Sequence, residues 1–277
     1  MNITRNIEVF ERLMGQVHRP GMDRLMDYVR NSDFYEAPAS TRYHLSEPGG
    51  LLQHSLNVYY ALSAKRHSPL WGPLLKNIPE ESLILCALCH DFCKIHYYKR
   101  IDKSKKCRAP QDIASASKKD IKNDNIGQYV WKTVDAYEIE DKFPFGHGAK
   151  SVYLLQQFGV PLQEFEALSI RFHAGAEDSS LSNSFKKAVA MYPFVLCLHE
   201  SDSYAANILE TRNNSFINEE KEKNTMDPLY YLERLSQLLT NSPIKGIDCL
   251  VDDFLTMLEN PIERPHFPCD NDCPFEE

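Results

Sequence analysis

The chain has 277 residues, 43% of them hydrophobic and 25% charged, and its formal net charge is −8 at pH 7. This amount of apolar material supports a packed core and excludes a chain that is disordered throughout. The negative charge disfavours a long polyanion as partner unless a local basic patch overrides it. A small phosphorylated substrate neutralised by a metal ion is compatible with this charge.

Residues 1–21 lack the basic segment followed by an apolar core that marks a signal peptide. The longest apolar runs, LILCALC and FVLCL, are far shorter than the roughly 20 residues that a membrane-spanning helix needs. We therefore expect a cytoplasmic protein with no membrane partner. Its eight cysteines should then be reduced thiols.

The hydrophobic pattern predicts a mainly α-helical fold. Two short amphipathic helices are expected at residues 6–17 and 21–31, with a break at Pro20-Gly21. They belong to an N-terminal helical segment, residues 1–40, which we expect to pack on the core.

The central domain is expected at residues 41–210 and begins with a strongly periodic helix. The sequence EPGG at 47–50 precedes this helix, in which Leu52 and Leu56 recur with the helical period. Pro79 and two acidic residues begin the next helix, which runs through LILCALC to a His-Asp pair.

The middle of this domain lacks the helical spacing of its first part. Residues 99–125 carry many Lys and Arg and few large apolar side chains, which predicts a mobile basic loop. Residues 128–145 have β-branched and aromatic side chains on both sides of Asp135-Ala136, which predicts a small β-hairpin. Helical spacing then returns, and residues 211–277 are expected to form a linker, a C-terminal helical segment and an irregular tail.

Six side chains that can bind a metal ion lie at helix ends or on apolar helix faces. A helical bundle can bring such residues from separate helices to one point in its interior. Taken singly, each is also explained as a hydrogen-bonded core residue or a solvated helix residue. The set is His54, His90, Asp91, His147, His173 and Asp202.

Five short motifs surround these residues. GGLLQHSLNV is followed by CALCHDFCKI, and then by GHGAKSV, IRFHAG and LHESDSYAA. With these motifs in this order, the chain resembles the HD-domain metal-dependent phosphohydrolases over about residues 40–210. Within that family it is most similar to the branch that includes the YhaM-type 3′→5′ exoribonucleases. The resemblance implies an HD-domain helical bundle and an enzyme that hydrolyses phosphoesters.

The resemblance also implies one or two divalent transition-metal ions, Mn, Fe, Co, Ni or Zn, for which mixed imidazole and carboxylate ligands are suited. The first ion would be held by His54, His90, Asp91 and Asp202. Asp91 would bridge to a second ion held by His147 and His173. Ala149 stands where relatives often carry an acidic residue, which implies a loosely held second ion or a single one.

The implied mechanism is in-line attack on the phosphoester by metal-activated hydroxide. Lys94 and Asp91 are the catalytic candidates, because the Lys94 ammonium can clamp a phosphoryl oxygen or stabilise the leaving oxygen. Arg42 and His44 precede the helix that carries His54 and are candidate substrate contacts, together with Lys94.

The cysteines offer two further interpretations. Cys86, Cys89 and Cys93 form one stripe, and CALC has the C-x-x-C form of a zinc or redox pair. Core packing is favoured, because cysteine is among the most buried residue types. The tail sequence PHFPCDNDCPF offers one His and two Cys, but their irregular spacing disfavours a structural zinc site.

The leading hypothesis is a phosphohydrolase that acts on a nucleotide or another small phosphorylated molecule. One alternative is a 3′→5′ exonuclease on short single-stranded nucleic acid, which the basic segment favours. Another is a non-catalytic HD module that binds a nucleotide for regulation. A chain-length series of oligonucleotides separates the first two hypotheses.

Overall fold

Helices make up most of the described chain. The computed structural model describes residues 1–176 and 179–211, and for this part a mainly helical fold class is confirmed, together with one small antiparallel sheet. No described helix is both long and apolar enough to cross a membrane. The linker, C-terminal helices and tail expected within residues 211–277 lie outside the described residues, apart from Thr211.

Two N-terminal helices, α1 (Ile3–Met14) and α2 (Met22–Asn31), are present close to their expected positions. The side chain of Asn2 caps α1 by accepting a hydrogen bond from the backbone N–H of Arg5 (3.1 Å). Both helices turn their apolar side into the main core. The side chains that they bury there include Phe10, Leu13, Leu25 and Val29.

The centre of the core is formed by α3 (Gly50–Arg66) and α5 (Glu80–Cys89), which pack together, with the single-turn α4 (Gly72–Leu75) between them in sequence. Every residue of α5 from Ser82 onward is buried. A helix that is apolar on all sides belongs in the interior. The His-Asp pair that follows α5 is therefore carried into the protein.

Gly50 permits the chain before α3 to lie against the start of that helix. A Cβ atom at this position would lie 2.0 Å from the carbonyl oxygen of Leu45 and 2.9 Å from the backbone nitrogen of Ala39. The N–H of Ala39 donates to the same Leu45 oxygen (3.1 Å), which closes a tight loop around His44. Only a residue without a side chain fits beside this loop.

A three-stranded antiparallel sheet follows α5 in the sequence. Its strands are β1 (Tyr98–Cys107), β2 (Lys122–Asp124) and β3 (Gly127–Ile139), in the spatial order β1-β3-β2. The short helix α6 (Pro110–Ala114) lies in the connection between β1 and β2. β1 pairs with β3 along its whole length.

Two sequence predictions for this region are wrong. Residues 99–125 are not a mobile basic loop, because they contain most of β1 together with α6 and β2. Residues 128–145 are not a hairpin, because β3 continues through Asp135, which pairs with Asp102 of β1. Most of β1 is exposed on both faces, so it shows no apolar alternation. It is held by backbone pairing and by cross-strand ion pairs such as Arg100 with Asp135 (2.7 Å).

The remaining helices are α7 (His147–Gln157), α8 (Glu164–Arg171), α9 (Ser182–Met191) and α10 (Phe194–Tyr204). A π-helical turn (Ala205–Leu209) continues α10. α10 packs against α3 and α8, and α7 packs against α8. These contacts bring side chains from distant parts of the sequence to one place in the interior.

Candidate metal centre

The six side chains selected from the sequence lie together, and we call them the His/Asp cluster. They are His54 of α3, His90 and Asp91 directly after α5, His147 at the start of α7, His173 just after α8, and Asp202 of α10. The side chains of His147 and Asp202 are 29% and 17% exposed, while the other four are almost completely buried. His147 and Asp202 therefore form the solvent-facing edge of the cluster.

Asp91 lies at the centre of the His/Asp cluster, and its two carboxylate oxygens face different histidines. Oδ1 is 3.0 Å from Nε2 of His147 and 3.3 Å from Nε2 of His173. Oδ2 is 3.5 Å from Nε2 of both His54 and His90. A carboxylate with imidazoles on either side is arranged to bridge two cations.

Asp202 completes the group around Oδ2 of Asp91. Its Oδ1 is 3.1 Å from Nε2 of His54 and 3.9 Å from Nε2 of His90. The two Nε2 atoms are 3.2 Å apart. Ligand atoms that each lie about 2.0–2.2 Å from one metal ion are themselves about 3 to 3.5 Å apart, so these atoms have the spacing of a common coordination sphere.

The orientation of two imidazoles is fixed by backbone carbonyl groups. Nδ1 of His90 donates to the carbonyl oxygen of Ala87 (2.7 Å), and Nδ1 of His173 donates to that of Ile170 (2.8 Å). A carbonyl oxygen can only accept, so the proton is on Nδ1 and the neutral ring keeps a lone pair on Nε2. Both lone pairs point into the cluster, as in histidines that bind metal.

Glu210 fixes the third imidazole and was missed by the sequence prediction. Its carboxylate is 3.0 Å from Nδ1 of His54 and accepts a hydrogen bond from the Asn57 amide (2.8 Å). The same carboxylate contacts Nδ1 of His44 (2.5 Å). A histidine that binds a metal ion through one ring nitrogen usually donates the N–H of its other nitrogen to a carboxylate. Glu210 has this position relative to His54.

Cys93 also lies at the cluster, although the sequence pattern favoured core packing for it. Cys86 and Cys89 are buried in the main core, as expected. The Sγ atom of Cys93 is instead 3.1 Å from Nδ1 and 3.7 Å from Nε2 of His147, and 3.9 Å from Oδ1 of Asp91. The stripe pattern alone could not distinguish its position from that of the other two.

The three candidate substrate contacts have different positions. The ammonium of Lys94 is 2.6 Å from Oδ2 of Asp91, so the structure places it directly on the cluster. His44 contacts Glu210 through Nδ1, and its ring lies edge-to-face with that of His54, with 5.0 Å between the ring centroids. Arg42 is exposed, and its guanidinium contacts the neighbouring Tyr43. In the described part of the chain, no contact joins Arg42 to the cluster.

The carboxylates of the cluster are held in their ionised form. Burial disfavours charge on Asp91, but Lys94 and the adjoining imidazoles keep the pKa of this carboxyl well below its usual range. Burial also opposes ionisation of Asp202 and Glu210, and their contacts with His54 nevertheless lower the pKa of both. Three negative charges are therefore held close together in the interior.

The pKa values of the neighbouring basic groups are raised by the same carboxylates. Burial disfavours the charged form of His54, but Glu210 and Asp202 outweigh it and raise its pKa to about 10. For His147, burial is outweighed by Cys93 and Asp91, and its pKa rises to about 9. Asp91 likewise raises the pKa of the buried Lys94 ammonium. Without a metal ion, protons supply the positive charge that these anions attract.

The charge and donor types of this centre fit a divalent metal ion. Three carboxylates here are buried or nearly buried: Asp202 and Glu210 contact His54, and Asp91 contacts the ammonium of Lys94. With neutral imidazoles, two negative charges remain, which equal the charge of one divalent cation. Buried charge of this kind is normally paired or coordinated to metal. The buried His, Asp and Glu groups can therefore hold a metal ion.

No protein-family model, no curated protein and no solved structure matches the chain. A function must therefore be argued from the geometry of the centre itself.

Proposed function

We propose that the protein is a metal-dependent phosphohydrolase of the HD-domain type. Its substrate would be a nucleotide or another small phosphorylated molecule. One observation carries the proposal: the Asp91 carboxylate lies between two groups of imidazoles and is contacted by the Lys94 ammonium at 2.6 Å. This combines side chains that can hold a metal ion with a fixed cation, and both can stabilise the charge that develops during hydrolysis of a phosphoester.

Phosphoester hydrolysis needs a nucleophile at neutral pH and neutralisation of the phosphate charge, and a bound divalent metal ion supplies both. The residues that would hold the first ion are His54, His90, Asp91 and Asp202. Imidazole and carboxylate ligands together suit Mn, Fe, Co, Ni or Zn. Glu210 and two backbone carbonyl groups keep the imidazoles in the orientation that ligation requires.

Lys94 would act on the substrate directly. Its ammonium stays charged, because Asp91 raises its pKa despite burial. It is positioned to contact a phosphoryl oxygen that approaches Asp91, and to stabilise negative charge there. Substrate would enter past His147 and Asp202, which form the exposed edge of the cluster.

The proposal is tested first by metal content. Elemental mass spectrometry of the purified protein should find about one or two equivalents of a transition metal, as for one-ion and two-ion centres. Asp91→Ala should lose this metal with its helix content intact. Asp27→Ala, at an exposed position of α2, is the matched control and should keep the metal.

A phosphoester screen with the identified metal follows, using nucleoside mono-, di- and triphosphates and cyclic nucleotides. Turnover that is absent in Asp91→Ala would support the proposal. Absence of bound metal after supplementation with each of the five metals would overturn it. So would an Asp91→Ala protein that keeps both metal and turnover.

A second candidate function, a 3′→5′ exonuclease on short single strands, is favoured by the sheet. β1 carries five basic side chains and one acidic side chain between Tyr98 and Cys107. The Lys106 ammonium lies over the rings of Tyr129 (4.4 Å) and Trp131 (5.6 Å), and Trp131 is about half exposed. Basic and aromatic side chains on one surface are typical of single-strand binding.

A length series of end-labelled single-stranded oligonucleotides tests this candidate. An exonuclease that uses the sheet should hydrolyse long strands faster than dinucleotides. Trp131→Ala should remove that difference, and Lys186→Ala, at an exposed position of α9, should not. Equal rates at every length would leave the small-molecule substrate as the better candidate.

A further inference from the structure

Three exposed aromatic side chains lie together on the surface, and we call them the aromatic patch. Phe143 and Phe145 lie between β3 and α7, and Tyr153 lies on α7. Their exposed fractions are 39%, 51% and 41%. The rings of Phe143 and Phe145 are parallel, with 5.2 Å between their centroids, and the centroid of Tyr153 is 5.3 and 5.6 Å from theirs. Exposed apolar side chains that lie together, unlike scattered ones, indicate a binding site.

The aromatic patch adjoins the place where substrate would enter. Phe145 precedes His147 by two residues, and two residues of extended chain span at most about 7 Å. His147 forms part of the solvent-facing edge of the His/Asp cluster. The patch is therefore close enough to this edge for one small ligand to reach both.

A second connection leads from the aromatic patch to Lys94. The Lys150 ammonium of α7 lies 6.0 Å from the centroid of the Phe143 ring and 5.4 Å from that of the Tyr97 ring. The backbone N–H of Tyr97 donates to the carbonyl oxygen of Lys94 (3.2 Å), and the Lys94 ammonium contacts Asp91 (2.6 Å). The patch therefore borders both the edge of the cluster and the segment that carries its fixed cation.

The loop that carries two of the rings is held in place by hydrogen bonds. The ammonium of the buried Lys150 donates to Oδ1 of Asp141 (2.9 Å), and the N–H of Phe143 donates to the same oxygen (3.0 Å). The N–H of Phe145 donates to the carbonyl oxygen of Phe143 (2.8 Å). The rings are therefore positioned before a ligand arrives, which reduces the cost of ordering them on binding.

We propose that the aromatic patch binds the base of a nucleotide substrate by stacking, with Phe145, its most exposed ring, as the main contact. Every nucleobase has a flat π face that stacks on aromatic side chains. A phosphate group at Lys94 is charged, and a sugar has no flat apolar surface, so the base is the part of a nucleotide that suits these rings. A protein or lipid could also cover them, but would not explain why they border the entry to a phosphate-binding centre.

This inference rests on the proposed function, and it narrows the substrate from small phosphorylated molecules to nucleotides. Calorimetry of the purified full-length protein tests it with three probes, the 5′-methylenephosphonates of adenosine and uridine and the 5-methylenephosphonate of ribose. The ribose probe differs from the other two only in lacking a base. The C–P bond of the probes resists hydrolysis, so binding is measured separately from turnover.

The wild type should bind the two nucleoside probes about 5- to 100-fold more tightly than the ribose probe, which is the usual effect of stacking one base on an aromatic side chain. Phe145→Ala should remove this preference and leave the affinity for the ribose probe unchanged. Phe145→Trp should keep the preference, and Phe145→Leu, which retains apolar bulk without a π face, should lose most of it. Leu70→Ala, at a 76% exposed apolar position just before α4, is the matched control and should behave as the wild type.

Three results would overturn the inference: a wild type without preference for the nucleoside probes, a Phe145→Ala protein that keeps the preference, and a Phe145→Leu protein that binds as the wild type does. None of them affects the proposed function, which metal content and turnover decide separately. Conversely, a preference that depends on Phe145 in a protein without metal or turnover would support the base-binding site and overturn only the hydrolase.

Discussion

At the scale of single residues, the centre depends on which nitrogen of each histidine faces inward. His90 and His173 obtain this orientation from backbone carbonyl groups, which any sequence would provide. His54 obtains it from Glu210, a side chain that mutation can change. Glu210 also adds negative charge behind the ring, which makes the inward nitrogen a stronger ligand.

Glu210→Gln should weaken metal binding by about 10- to 100-fold, which is the usual effect of removing an outer partner of a ligand. The amide keeps the size of the side chain but removes its charge from His54. Competition with a chelator of known affinity measures the change. Glu8→Gln, at an exposed position of α1, is the control. Equal affinities of the two variants would show that Glu210 has no influence on the metal.

Glu210 also shows where sequence periodicity stops being informative. In a regular α-helix, eight residues would place Glu210 about 80° away from Asp202 around the helix axis. The π-helical turn after α10 adds one residue to the turn, and the N–H of Glu210 bonds to the carbonyl of Ala205, five residues earlier. With this turn, the carboxylates of Asp202 and Glu210 both contact the His54 ring, one at each nitrogen. No residue type in AANIL predicts it.

At the scale of elements, helices were predictable where the sequence has a run of buried apolar residues, and β1 was not. The helix that ends at the His-Asp pair is apolar on all sides, and the helix that carries His54 buries most of its first nine residues, so both could be located in advance. β1 gains its stability from pairing with β3, which is distant in sequence. An exposed strand of lysines has the composition of a loop, and only the partner strand distinguishes the two.

Gly50→Ala should destabilise the protein, because its Cβ atom would overlap the Leu45 carbonyl oxygen and approach the backbone of Ala39. Backbone atoms cannot move aside as a flexible side chain can, so we expect a loss of about 1 to 3 kcal/mol in the free energy of unfolding. Urea unfolding of the metal-free protein measures it.

Gly15→Ala is the matched control, because Gly15 already has helical dihedral angles at the end of α1. Its effect should stay within about 0.5 kcal/mol. Because the loop beside Gly50 carries His44, Gly50→Ala should also weaken the contact with Glu210. A Gly50→Ala protein as stable as the control would show that the loop adapts easily.

At the scale of the whole molecule, one buried ion pair joins the N-terminal helices to the helices that carry the centre. The guanidinium of Arg19, between α1 and α2, donates to both carboxylate oxygens of Glu166 on α8 (2.7 and 2.6 Å). It also contacts Glu81 of α5 (2.9 Å). Since α5 leads into His90 and α8 into His173, this pair helps to fix the relative position of two histidines of the His/Asp cluster.

The pair should make stability depend on pH. Burial disfavours the ionised form of Glu166, yet the hydrogen bonds from Arg19 lower its pKa below the usual value. A carboxyl group whose pKa is lowered by folding binds its proton more tightly in the unfolded chain. Its stabilisation is therefore complete above the unfolded pKa, about 4.3, and is lost as the pH falls through the lower pKa of the folded state.

Glu166→Gln should lower the free energy of unfolding by about 3 kcal/mol at neutral pH, because it leaves Arg19 without its main partner in a buried position. The difference from the wild type should shrink as the pH falls below about 4.3, where Glu166 becomes protonated in the unfolded chain.

Urea unfolding of the metal-free proteins at a series of pH values measures this difference. Glu164→Gln, on the exposed side of α8, is the control and should show a small difference. If the difference in the free energy of unfolding between the wild type and Glu166→Gln stays constant from neutral to acidic pH, the charge of Glu166 is not the source of the stabilisation. The side chain would then contribute through packing and uncharged hydrogen bonds.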